Sequence, residues 1–361
     1  MKKKNIEFTL LISVLLISLF GILMIYSSSY VWALYKYNDP YKYLKNQALF
    51  FLIGLIIIFF VSKIDYKKYY KHSNKILIVC ILLLILVLIP GIGTIRNGSR
   101  SWFGIGSFGI QPSEFAKLGL IIFTSKYLSN NTKKKNFKEV LPVLIITLVV
   151  FGIIMLQPDF GTGIIIVMSI IGLLFVAGLN IKIFIRFGIV GVIGIVILIL
   201  VAPYRLKRIL SFLNPWSDPL GSGFQIIQSL YSIGPGGLFG LGLGNSIQKH
   251  FYLPEPQTDF IFSVISEEFG FMGILIISIL FILVFYSSLK ISIKCEDIFG
   301  KYLAFGITFG LIFQTVLNLC VVVGLIPVTG VTLPFLSYGG SSLLVSMVSI
   351  GIVLNISREC K

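Results

Sequence analysis

Asp259 places a single carboxylate where a long polar segment meets a very apolar one. The residues before it are rich in turn formers, and a hydrophobic run begins at Ile261. A carboxylate at such a junction in a membrane protein is suited to act as a general base. Aspartate is also a favoured helix N-cap, so the sequence alone leaves both interpretations open.

Two further pairs of ionisable residues lie inside apolar segments. Glu267 and Glu268 follow Asp259 by eight and nine residues, which is about 12–13 Å along a helix at 1.5 Å per residue. Acids at that depth are costly, so we expect them to face a cavity or to form a structural ion pair or hydrogen bond. Glu114 and Lys117 share one helix face, where they either neutralise each other or form the floor of an anionic-ligand site.

Asp159 and a set of cations complete the candidate residues. Asp159 lies in a Pro-Asp-Phe-Gly turn, where aspartate is most often a turn former. The cations in the segments predicted to be external are Arg96, Arg100, Arg205, Lys207 and Arg208. They are either interfacial anchors for lipid phosphate or a grip for a pyrophosphate group, which the planar fork of arginine suits.

The elements that position these residues are predicted to be transmembrane helices. Apolar residues make up 56% of the 361 residues and charged residues 12%, against about 25% charged in soluble domains. Mean hydropathy is +0.97. Apolar runs long enough to cross about 30 Å of hydrocarbon occur at 6–28, 46–62, 74–90, 113–128, 139–157, 160–178, 182–201, 260–288, 302–325 and 340–357. The predicted fold class is an all-α polytopic membrane protein with about ten spans.

The distribution of positive charge predicts the orientation of these spans. About two thirds of the 30 lysines and arginines fall on the side that carries both termini, so both termini are expected to be cytoplasmic. Residues 202–259 then form one long extracytoplasmic loop within a single membrane domain, 1–361. Loops of that length tend to be functional.

Several classes of function are disfavoured. The net charge of +16 indicates topology and affinity for anionic membrane lipids, and the basic residues lack the interleaved aromatics expected for nucleic-acid binding. The glycine-rich stretch 234–244 does not open a βαβ unit, so neither a nucleotide fold nor an organic cofactor is expected. Cys80 and Cys320 fall in spans, and Cys295 and Cys360 on the cytoplasmic side, so no external disulfide is predicted.

Longer motifs resemble one family. They are Gly98-Ser99-Arg100-Ser101-Trp102, Gln111-Pro112-Ser113-Glu114, Gln157-Pro158-Asp159-Phe160-Gly161-Thr162, Asn214-Pro215-Trp216, Leu253-Pro254-Glu255-Pro256-Gln257-Thr258-Asp259-Phe260 and the stretch from Thr329 to Ser342. Collinear over nearly the whole chain, these motifs resemble those of the SEDS family (shape, elongation, division and sporulation). Within it the chain is more similar to the FtsW/SpoVE branch of Gram-positive bacteria than to RodA.

The resemblance implies a peptidoglycan glycosyltransferase of the cytoplasmic membrane. Such an enzyme polymerises lipid II, the undecaprenyl-diphosphate-linked disaccharide pentapeptide, at the outer face, and works with a class B penicillin-binding protein in division or spore cortex synthesis. Asp259 matches the family's catalytic carboxylate. The residues expected to bind the sugar or diphosphate are Arg96, Arg100, Trp102, Glu114, Lys117, Asp159, Arg205, Glu255, Gln257, Thr258, Ser341 and Ser342. A divalent cation, Mg²⁺ or Mn²⁺, or the arginines would neutralise the leaving group.

Two other kinds of function stay open from the sequence. A flippase for lipid-linked sugars would use the buried charges as a polar path, although the motifs lie on one face whereas alternating access needs polar gates on both. A scaffold that recruits and activates the transpeptidase needs no catalytic residue of its own.

Overall fold

A computed structural model describes residues 7–96, 98–104, 109–130, 137–201 and 203–360. Each of the ten predicted spans corresponds to a helix in this part of the chain. These helices are α1 (Phe8–Tyr37), α2 (Lys42–Val61), α3 (Lys67–Leu86), α4 (Pro112–Asn130), α5 (Phe137–Met155), α6 (Phe160–Val176), α7 (Ile181–Val201), α10 (Ile261–Lys294), α11 (Ile298–Val322) and α12 (Gly340–Glu359).

The helices are those of a multi-pass membrane protein. Among the described residues, seven are long and apolar enough to cross a membrane: α1, α2, α3, α5, α10, α11 and α12. Helix α6 is apolar but has 17 residues, and α4 carries Glu114 and Lys117. Because α11 contacts α4, α6 and α10, and much of α11 and α12 is buried, these two helices lie at the centre of the bundle.

The predicted loop 202–259 contains regular structure. Helix α8 spans Pro203–Leu213, a 3₁₀ turn spans Pro215–Ser217, and α9 spans Phe224–Ile233. Helix α9 packs on α10 and α11, with Ile226 and Ile227 buried. The segment is therefore partly folded onto the bundle, and its last part, from Gly234 to Phe260, consists of turns.

The two ends of the bundle differ in their connections. At one end, Asn355 of α12 accepts a hydrogen bond from the Tyr66 backbone N–H through Oδ1 at 2.9 Å. Its Nδ2 donates to the Ser62 carbonyl at 3.0 Å. Nearby, Cys295 and Cys360 form a disulfide, with Cα atoms 4.9 Å apart, that joins the α10–α11 turn to the end of α12. The cysteine positions predict no external disulfide, and they do not predict this pairing either, because two cysteines 65 residues apart in the chain carry no signal of proximity.

The other end, which we call the polar end, carries the candidate functional residues. A two-stranded antiparallel hairpin, β1 (Thr94–Arg96) and β2 (Ser99–Trp102), lies between α3 and α4. The α11–α12 connection, residues 323–339, folds back here against α1. A Cβ at Gly21 of α1 would lie 2.8 Å from the Leu336 carbonyl oxygen, so only glycine allows this close approach.

Candidate functional site

The α11–α12 connection forms the middle of the candidate site. Two amide side chains of α11 hold it in place. Gln314 donates to the Thr332 carbonyl at 2.9 Å, and Asn318 donates to the Val331 carbonyl at 2.7 Å. Because the two amides are four residues apart, they lie on one face of α11 and fix consecutive residues of the connection.

Asp259 lies at the edge of this connection. Asn318 donates to the Asp259 backbone carbonyl at 2.8 Å, and a Cβ at Gly330 would lie 3.8 Å from Asp259 Oδ2. Helix α10 begins at Ile261 with Phe260 as its N-cap residue. Asp259 is therefore the residue directly before the N-cap position of α10.

Glu114 and Lys117 form the predicted ion pair. Lys117 Nζ lies 2.8 Å from Glu114 Oε2, and both residues are buried, at 7% and 5% exposure. Lys117 also donates to Gln314 Oε1 at 2.7 Å. A cavity of about 10 Å³ beside Lys117, bordered by Ser346 and Ser349, has room for about one water molecule. Gln314 thus connects this pair to the same α11–α12 connection that borders Asp259.

Asp159 joins the starts of two helices, α4 and α6. It is the N-cap of α6 and accepts from the Thr162 backbone N–H at 3.2 Å. Its other oxygen accepts from Gln111 Nε2 at 2.9 Å and from the Ser113 hydroxyl at 3.3 Å. Removal from water raises the pKa of the Asp159 carboxyl, the hydrogen bonds from Thr162 and Ser113 oppose this, and the negative charge of Glu114 adds to it.

Ser341 and Ser342 attach the start of α12 to this cluster. The Ser341 hydroxyl accepts from the Gln111 backbone N–H at 3.0 Å and donates to the Gly109 carbonyl at 2.9 Å. Ser342 accepts from the Thr332 hydroxyl at 3.2 Å. Both serines thus have partners within the protein.

The hairpin brings Arg96 and Trp102 together. The Arg96 guanidinium lies 5.2 Å from the centre of the Trp102 ring. Burial raises the pKa of the Tyr338 phenol, and the hydrogen bond from Asn46 and the positive charge of Arg96 both oppose this. The charge of Arg96 therefore reaches the α11–α12 connection, whereas no contact described here brings Arg100 to Asp259.

The remaining predicted residues lie on the approach to α10. The Gln257 carbonyl accepts from the Tyr338 backbone N–H at 2.8 Å, and the Thr258 hydroxyl donates to the Glu255 carbonyl at 2.8 Å. Glu255 has a φ of +46°, which is uncommon for a residue with a side chain. The side chain of Arg205 lies outside the described residues, although its backbone belongs to α8.

Sequence reasoning missed Gln314 and Asn318. A signal was present, because amides four residues apart interrupt an otherwise apolar helix, and polar residues inside spans usually have a partner or a function.

Glu267 and Glu268 form structural contacts, which was one of the two alternatives that the sequence left open. Lys249 lies 3.0 Å from Glu268 Oε1, and the Ser246 hydroxyl lies 2.5 Å from Glu267 Oε2. All four side chains are buried.

The site combines one carboxylate, Asp259, with cations and hydrogen-bond donors on neighbouring elements. Lys117 bonds to Gln314, which in turn holds the connection at Thr332, and the positive charge of Arg96 acts on Tyr338 of the connection. A carboxylate can accept a proton, and cations can stabilise a departing anion.

Comparisons with known proteins show the family of this chain. The family model for cell cycle proteins of the FtsW, RodA and SpoVE type matches residues 8–361. Stage V sporulation protein E of Bacillus subtilis is 52% identical over 361 residues, covering 99% of this chain and 98% of its own length. A probable peptidoglycan glycosyltransferase FtsW of Trichlorobacter lovleyi is 41% identical over 98% of this chain and 94% of its own.

A solved structure gives the same result for the fold. It is a chain from a peptidoglycan synthase complex that coordinates polymerization and crosslinking. The protein described here and that solved chain are 31% identical, with a TM-score of 0.80 over 98% of both chains. The helices, the polar end and the full-length matches together show that this chain belongs to the FtsW/RodA/SpoVE family.

Proposed function

We propose that the protein is a peptidoglycan glycosyltransferase that polymerises lipid II, with Asp259 as the base. One observation carries the proposal: Asn318 and Gln314 hold a single connection between Asp259 and Lys117. A base and a cation are thereby fixed relative to each other on rigid elements, which acid–base and electrostatic catalysis requires. The names of the relatives support the same reaction.

The reaction joins two lipid-linked saccharides. The 4-hydroxyl oxygen of the acceptor attacks the anomeric carbon of the donor, and its proton passes to Asp259. The bond from that carbon to the diphosphate oxygen breaks, and the diphosphate departs with the bonding electrons. Asp259 would supply the basicity, while Lys117 and Arg96 would stabilise the charge that develops on the leaving group.

The proposal includes a divalent cation bound at Asp259. Among the described residues no three His, Cys, Asp or Glu side chains form a metal-binding group. However, Asn318 Oδ1, Gln257 Oε1 and Thr329 Oγ1 are buried without a hydrogen-bond partner in that part of the chain. Mg²⁺ and Mn²⁺ take oxygen ligands, so Asp259 with these neutral oxygens would hold the ion. Once bound, the ion would neutralise diphosphate charge.

The same proposal includes the location and the partner. Because the substrates keep their lipid tails in the bilayer, the polar end would face the outer side of the cytoplasmic membrane, with both termini inside. The similar chain from a peptidoglycan synthase complex supports a partner that crosslinks the product, a class B penicillin-binding protein. The flippase alternative loses support, because Glu267 and Glu268 are engaged in structural contacts.

The test compares two aspartate variants of the purified protein, supplied with labelled lipid II and with its partner. Asp259→Asn keeps the shape but removes the basicity, so polymer formation should fall to less than about a tenth of wild type. Asp297→Asn is the matched control, because Asp297 caps α11 through the Gly300 N–H and asparagine also caps helices. Full activity of Asp259→Asn would remove Asp259 from the base role. Translocation across vesicles without polymer would instead indicate a flippase.

A further inference from the structure

Helix α10 is broken at Gly270, its tenth residue. Gly270 has φ +61° and ψ −157°, a conformation that is open only to glycine without strain. The break separates a short half, residues 261–269, from a long half, residues 271–294. Asp259 lies two residues before the short half, so the position of that half determines the position of Asp259.

The segment 236–249 satisfies the backbone groups that the break leaves free. The N–H groups of Leu241 and Gly242 donate to the carbonyls of Glu267 and Glu268 at 2.9 and 3.0 Å. In return, the Phe271 N–H donates to the Gly237 carbonyl at 2.9 Å. Irregular backbone inside a membrane protein persists where protein groups replace the lost helical bonds, and this segment provides them.

Side chains then fasten the segment to two helices. Glu268 accepts from Lys249 at 3.0 Å and from the Ser27 hydroxyl of α1 at 2.7 Å. Glu267 accepts from the Ser246 hydroxyl at 2.5 Å and from the Ile247 N–H at 2.8 Å. The side chains of Lys249 and Glu268 have no solvent exposure, so each depends on the other for its charge to be compensated.

The contacts among Ser27, Ser246, Lys249, Glu267 and Glu268 form what we call the clamp. Residues 250–258 connect this clamp to Asp259. Two of them, Phe251 and Glu255, have left-handed φ values of +68° and +46°. Such conformations persist only where the surroundings fix both ends of the segment. Lys249 fixes the first end, and the bond from Asn318 to the Asp259 carbonyl fixes the second.

We infer that Lys249 is a positioning residue for Asp259. Its ion pair with Glu268 holds the 236–249 segment in the break of α10, and it thereby fixes both the short half of the helix and the strained segment 250–258. Lys249 acts through these elements and does not touch the substrate. The inference rests on the proposed role of Asp259 as the base.

The experiment replaces the pair by neutral residues and compares kcat with KM for the full-length protein in complex with its partner. Lys249→Met/Glu268→Gln removes both charges, so that no stranded charge confounds folding. We expect kcat to fall by about tenfold or more, because small displacements of a catalytic group are costly, while KM changes by less than about twofold. Lys249→Arg keeps the charge and should restore most of kcat.

A second ion pair on α10 provides the control. Lys290 lies 3.2 Å from Glu7 and is partly exposed, at the far end of the long half. Glu7→Gln/Lys290→Met removes one negative charge, next to the start of α1, and one positive charge, at the far end of α10, without reaching the break. This variant should leave kcat unchanged. If Lys249→Met/Glu268→Gln does not fold, Ser27→Ala tests the same clamp with a milder change, and a lower kcat at constant KM is again expected.

The outcomes are distinct. A folded Lys249→Met/Glu268→Gln variant, or failing that a Ser27→Ala variant, with wild-type kcat would overturn the positioning role. A rise in KM at constant kcat would overturn it as well, because it would show that Lys249 contributes to substrate binding. Neither result bears on Asp259 itself. Only an active Asp259→Asn variant would refute the proposed function.

Discussion

Within the described part of the chain, two buried ion pairs lie near the polar end, and they are built differently. Glu114 and Lys117 are neighbours on one helix turn, keep slight exposure, and lie beside a cavity of about 10 Å³. Lys249 and Glu268 come from a turn segment and a helix, have no exposure, and are bonded to a third element through Ser27.

The difference indicates two uses for the same interaction. A pair formed within one helix needs no tertiary structure to come together, so it is free to serve a ligand, and Lys117 reaches from it towards the α11–α12 connection. A pair that joins two distant segments defines how those segments pack. Four predictions test this distinction, in order of decreasing effect.

The largest effect is expected for Lys249→Met. The change strands the Glu268 carboxylate in a sealed site, which should lower the free energy of unfolding by about 3–5 kcal/mol. Unfolding of the purified protein in detergent measures this. Lys290→Met, which breaks a half-exposed pair on the same helix, should have a much smaller effect. Equal losses for both variants would contradict the structural role given to Lys249.

The second prediction concerns Lys117→Met and its double variant. The single change should cost less stability than Lys249→Met, because Glu114 keeps slight exposure and is next to a cavity that admits water. Lys117→Met/Glu114→Gln should recover folded yield, since no charge is left unpaired. It should not recover polymerisation of lipid II. A double variant with wild-type activity would show that this pair, too, is only structural.

The third prediction concerns Gln314, which connects Lys117 to the α11–α12 connection. Gln314→Leu leaves the Thr332 carbonyl without its donor and removes a partner of Lys117, so stability should fall by about 1–3 kcal/mol. Activity should fall with it. Thr315→Val is the matched control, because the Thr315 hydroxyl bonds only to Leu311 of its own helix among the contacts described. A larger effect of the control would contradict the assignment.

The smallest effect is expected for an exposed pair at the same end. Lys45 lies 2.9 Å from Asp39, and the hydrogen bond from Lys45 lowers the pKa of the Asp39 carboxyl. Such a pair stabilises above the ordinary aspartate pKa and loses its contribution as pH falls through the lowered one. Because exposed pairs contribute little, Lys45→Ala should leave the thermal midpoint at pH 7 unchanged, and a clear decrease would contradict the comparison.

The sequence predicted the helices well for a simple reason. A span must satisfy its own backbone hydrogen bonds and remain apolar along its length. Hydropathy therefore located ten helices within a few residues at most ends, and seven of these are long and apolar enough to cross a membrane. The Glu114–Lys117 pair was equally accessible, because helical periodicity places the two residues together. The break at Gly270 was not, since a glycine inside an apolar run is compatible with a straight helix.

The candidate site likewise has features that the sequence predicted and features that it did not. Its residue types and the loop–helix junction at Asp259 were visible in the sequence. The tertiary structure alone decided that Asn318 and Gln314 hold the α11–α12 connection and that Lys249 pairs with Glu268. Local pairs follow from helical geometry within a few residues, whereas contacts between segments far apart in the chain depend on how the whole bundle packs.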